Sequence, residues 1–113
     1  MTVTQSQIEQ MLVGMGIPVT YHHFETEQGQ EPPFLVYLFP ESDNMAADNR
    51  VYQKLSELNV EIYTDVKSVE LESRMEKILD EAGLFWDKTE IWIESERLYE
   101  VLYEMEVLMD EEK

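Results

Sequence analysis

The chain has 113 residues, 8 basic against 25 acidic side chains and a formal charge of −17, which suits one domain with one core and argues against ordinary binding to phosphate backbones or anionic membranes. It has no cysteine, which excludes disulfides and Cys-based zinc sites. No apolar run approaches the ~18 residues of a membrane span, and the opening MTVTQSQIEQ has neither the basic start nor the apolar stretch of a secretion signal, so synthesis and first use in the cytoplasm are expected.

In chain order, Thr4-Gln5-Ser6-Gln7 fits a capping box, and Ile8, Met11, Leu12 and Met15 follow at helical spacing, with Gly14 and Gly16 as exits. Residues 18–24 alternate weakly and suit a short edge strand. Residues 25–33 are polar, with a Pro32-Pro33 brake, and read as a loop. Phe34 to Phe39 is a continuous apolar run ended by Pro40 and predicts a strand buried on both faces. Glu41 to Asn49 reads as an acidic loop. Leu58, Val60 and Ile62 then share one face of a strand, while Asn59, Glu61 and Tyr63 share the other. Val51 to Leu55 favours the opposite parity, so a bulge or bend is expected near Ser56–Glu57.

Ser68 to Ala82 predicts a second helix. Leu71, Met75, Ile78 and Ala82 form its buried stripe with Leu79 beside it; Glu70, Glu72, Lys77 and Glu81 face water, and Gly83 suits the left-handed position past the end. Residues 85–93 return to strand chemistry, and Glu94 to Arg97 form a break short enough for a hairpin. The last segment, YEVLYEMEVLMD, decides the architecture. Tyr99, Val101, Tyr103, Met105, Val107 and Met109 fall on one side at period two; Leu98, Glu100, Leu102, Glu104, Glu106, Leu108 and Asp110 fall on the other. A helical stripe would have to include a glutamate in any register, so the segment is a strand. Asp110 to Lys113 are expected to fray.

The order is helix, three strands, helix, two strands. It predicts an α+β domain spanning 1–113, with a mainly antiparallel sheet of about four to five strands and both helices on one face. The opposite face then mixes Glu100, Glu104 and Glu106 with exposed leucines, an incomplete surface for a lone molecule.

No constellation of residues carries catalytic chemistry. His22 and His23 are neighbours on a strand and point to opposite faces, so they cannot share a metal without a kink, even with Glu25 and Glu27 near. Glu41, Asp43 and Asp48 lack the glycine and terminal glutamate of a calcium loop. There is no phosphate cradle and no nucleophile elbow. The expectation is a protein that is not an enzyme and uses no cofactor or metal.

The blocks PPFLVYLFPESDNMAADNRVYQKL, VEIYT and LDEAGLFWDKTEIWIESERLYEVLYEMEV resemble small tail-terminator and tail-completion proteins of long-tailed phages and of prophages in Gram-positive bacteria. The likeness spans roughly residues 17 to 109. It implies a structural virion protein at the tail or head–tail junction, made in the host cytoplasm. By that resemblance such a protein assembles with itself into a hexameric ring, contacts the tail tube protein and the head connector, and lets DNA pass without specific binding. Glu100, Glu104 and Glu106, or Asp43 and Asp48 in the 41–49 loop, are candidates for the pore wall, and Leu98, Leu102 and Leu108 for contacts between subunits. The alternative is an acidic inhibitor that imitates DNA and occupies a host nucleic-acid enzyme.

Overall fold

The computed structural model describes residues 2–23, 30–42, 44–47 and 50–110. Along the chain these form β1 (Thr2–Val3), α1 (Gln5–Val13), β2 (Val19–Tyr21), β3 (Phe34–Leu38), β4 (Met45–Ala47), β5 (Arg50–Gln53), β6 (Leu55–Thr64), α2 (Val69–Glu81), β7 (Trp86–Ile93) and β8 (Leu98–Met109). The α+β class and both helices match the expectation. The sheet is larger and mixed: six strands ordered β1-β8-β6-β3-β2, with β7 also on β8, and a separate β4–β5 ribbon.

Local chemistry accounts for the helices. The Gln7 amide donates to Thr4 Oγ1 at 3.1 Å and the Thr4 amide donates to Gln7 Oε1 at 2.9 Å, closing the capping box. Ser68 caps α2 by accepting from the Leu71 amide at 3.3 Å. Beyond α2 the chain turns at Gly83, whose φ of +73° is open to a residue without a Cβ.

The strand pairing corrects three expectations. The long pairings β3–β6, β6–β8 and β7–β8 are antiparallel as expected, but the sheet is mixed, because β2 runs parallel to β3 and β1 runs parallel to β8. A dozen residues separate β2 from β3, the length a parallel return needs. The bend near Ser56–Glu57 is absent; β6 keeps unbroken register against β8 from Leu55↔Leu108 to Thr64↔Tyr99. The change of parity instead reflects a change of sheet, since β5 belongs to the ribbon and β6 begins after Lys54. Part of the segment read as the 41–49 loop is likewise β4, paired with β5.

One face of the sheet holds the core. Leu35 and Tyr37 from β3, Leu58, Val60 and Ile62 from β6, and Val101, Tyr103, Met105 and Val107 from β8 are buried in one cluster with Ile8, Leu12 and Met15 and with Met75 and Leu79. Both helices therefore pack on the same face. Arg74 also links them, donating to the Met15 carbonyl at 2.6 Å.

The expected stripe of α2 is corrected in phase. Glu72 does not face water but is only 6% exposed, beside Met75 and Leu79. It is tolerated there because Lys67 and Lys88 reach it at 2.6 and 3.2 Å. Lys88 also binds Glu76 at 2.8 Å, Lys67 also binds Glu90, and Tyr103 donates to Glu76 at 2.8 Å. The network fastens α2 to β7 and β8.

A candidate functional surface on the second sheet face

The residues that alternate with the core positions make up the second face. Strand register arranges them in rows. Phe34, Tyr63, Glu100 and Ile91 lie side by side, then Val36, Glu61, Leu102 and Thr89, then Leu38, Asn59, Glu104 and Asp87. Glu57 stands opposite Glu106 in the next row, and Leu55 opposite Leu108 beyond it. None of these positions is Lys or Arg. The lysines Lys67 and Lys88 serve the network under α2 instead.

Two direct oppositions of like charge result: Glu57 to Glu106, and Asp87 to Glu104. Such pairs destabilise a sheet. All four carboxylates are exposed, and together with Asn59 and Phe85 they line a shallow depression. Phe85, 85% exposed, is an aromatic ring left in water at its rim.

The other end of the face is aromatic and less wet. Phe34 stacks on Tyr63, with centroids 4.9 Å apart. The Tyr63 hydroxyl lies 2.9 Å from Glu61 Oε1 and 3.1 Å from Glu100 Oε1, so one proton faces two carboxyl oxygens. Burial pushes the Glu61 carboxyl above its ordinary range, and the Glu100 charge adds to this against the opposing Tyr63 bond. Burial likewise raises the Tyr63 hydroxyl, with the charges of Glu61 and Glu100 adding to it.

The strand places Glu100, Glu104 and Glu106 on this face together with Leu98, Leu102 and Leu108. The leucines are half-buried, which corrects the expectation that they stand exposed. Flanking strands shield them: Leu102 lies between Glu61 and Thr89, and Leu98 is opposite Ile93. Asp43 and Asp48 lie outside the described residues. Sequence reasoning missed Glu57 and Asp87 as members of the acidic patch. The bend expected at Ser56–Glu57 hid the parity of Glu57, and only the register brings Glu57 beside Glu106 and Asp87 beside Glu104.

The expectation for the two histidines also needs correction. The strand ends at Tyr21, and His22 takes a φ of +68°. That kink brings the two Nδ1 atoms within 2.9 Å, one donating and the other accepting. Glu25 and Glu27 lie outside the described residues. Among the described residues no three His, Asp or Glu side chains are grouped to hold a metal ion, and no helix is long and apolar enough to cross a membrane.

No family model matches the chain, and a search of curated proteins finds no match.

Proposed function

We propose that this chain is a non-enzymatic structural protein of a phage or prophage tail. In this reading it is a ring-forming tail terminator or tail-completion subunit, hexameric in the ring, that caps the tail tube and joins it to the head. The observation that carries the reading is the exposed acidic end of the second sheet face. It sets Glu57, Asp87, Glu104 and Glu106 in like-charge oppositions, with no Lys or Arg at the register positions around them.

Folding gains nothing from that arrangement, so its use lies outside the folded monomer. A duplex threading a pore must slide, and a cationic wall would retain it by releasing counterions from the phosphates. A carboxylate wall repels the backbone and leaves the DNA free to move. The acids gather in one patch, which favours a wall over an imitation of DNA, whose charges would run in two rows. The resemblance of residues 17–109 to tail-terminator proteins supports the same reading, with the tube protein and head connector as neighbours and the virion as the place of work.

Electron microscopy of particles from a phage in which this gene is interrupted tests the proposal. Tails of irregular length without attached heads are expected. Tails of normal length carrying heads would contradict it.

A further inference from the structure

A second feature of the molecule, outside the acidic patch, lacks a partner. Strand β7 is hydrogen-bonded to β8 along one side, and no described strand pairs with its other side. An eight-residue edge of this kind offers a row of backbone N–H and C=O groups to any extended chain. From Asp87 to Trp92 every residue is exposed, with Ile91 at 45% and Trp92 at 41%.

We propose that the free edge of β7 pairs antiparallel with the β7 edge of a second copy of this chain, in the register centred on Thr89. The residues themselves select that register. Opposed residues must share a face of the joined sheet, so allowed registers differ by whole side-chain repeats. Centring on Thr89 sets Lys88 opposite Glu90 on both sides of the twofold axis, Thr89 opposite itself and Trp86 opposite Trp92. Opposite-charge, Thr–Thr and aromatic pairs each favour strand association. One step to either side centres the pair on Lys88 or on Glu90, and places that charge against its own copy. Charges that blunt the edge against arbitrary strands thus become complementary in a single self-pairing.

Lys88 and Glu90 remain available for this. Their side chains are 37% and 43% exposed while bound to Glu72 and Glu76 and to Lys67 respectively. The contact is isologous and closes at two copies. It is therefore different from the head-to-tail contacts of a ring, and it stands whether or not the proposed function does.

The absence of native cysteine makes the test direct. Thr89→Cys places two thiols opposite each other at the axis. Ile91→Cys faces Asp87 of the other copy, which leaves its two thiols about four residues, or roughly 13 Å, apart along the strands, beyond disulfide reach. Under mild oxidation Thr89→Cys should form a covalent dimer at least severalfold faster than Ile91→Cys. In sedimentation equilibrium the unmodified chain should populate a dimer as concentration rises, and Thr89→Arg should abolish it. Absence of preferential cross-linking at position 89, or an unmodified chain that stays monomeric at millimolar concentration, would overturn the proposal.

Discussion

The two faces of the β6–β8 pair are made of alternate residues of the same strands, yet they follow opposite rules. On the helix side, Leu58, Val60, Val101, Tyr103 and Met105 are buried, and the deeply buried Glu72 has two lysine partners. On the other side, carboxylates oppose carboxylates and an aromatic ring stands in water. The first face explains why the chain folds. The second costs stability, and a feature that costs stability is where a function outside folding is to be sought.

The largest expected difference between the faces is in packing. Leu58→Ala, at a position with no exposure, should lower unfolding free energy by about 2–5 kcal/mol, read by urea denaturation. Leu102→Ala in the neighbouring strand should cost clearly less, since its side chain is only half-buried and nearby side chains can settle into the gap. Equal losses would erase the distinction.

Next comes the buried carboxylate. Glu72→Gln leaves Lys67 and Lys88 with only their outer partners, Glu90 and Glu76, and should cost about 1–3 kcal/mol. Thermal unfolding of the variant checks this, and an unchanged midpoint would show the network to be ornamental.

Acid titration separates the faces by sign. Burial pushes the Glu76 carboxyl upward, but the hydrogen bonds from Lys88 and Tyr103 outweigh it and hold the group below its ordinary 4.5. Its contribution is therefore present above that value and is lost as pH falls through the lowered one. Glu61 is raised above the same 4.5, chiefly by burial. It imposes a penalty at neutral pH that is relieved as pH falls through the raised value. At pH 7 Glu76→Gln should thus be less stable than the parent and Glu61→Gln more stable. The Glu61→Gln difference should close at pH values above 4.5, the Glu76→Gln difference below it.

The smallest effect is the charge opposition. Glu106→Gln relieves Glu57 and should raise stability by about 0.2–1 kcal/mol. The gain should shrink in high salt, because exposed charges are screened.

The contrast between faces was partly legible in the sequence. Alternation from Leu98 to Asp110 identifies β8 and its two sides, because glutamates at period two exclude a helical stripe. The Thr4 and Ser68 caps are local and equally readable. What escaped depends on distant partners. β1 is only two residues long and exists through Leu108 and Met109. Glu72 lies at a position that reads as solvent-facing until Lys88 arrives from another element. The β4–β5 ribbon begins inside a polar segment rich in turn residues, whose composition reads as loop until the pairing of β4 with β5 is seen. Of the candidate surface, three glutamates were readable from parity, but the oppositions that make it costly required the register.

The proposed DNA-repelling wall is tested most directly by measuring genome ejection from particles carrying Glu57→Gln, Asp87→Asn, Glu104→Gln and Glu106→Gln together. The account predicts assembled tails of normal length with ejection slowed relative to the parent phage. Ejection at the parental rate from such particles would contradict it.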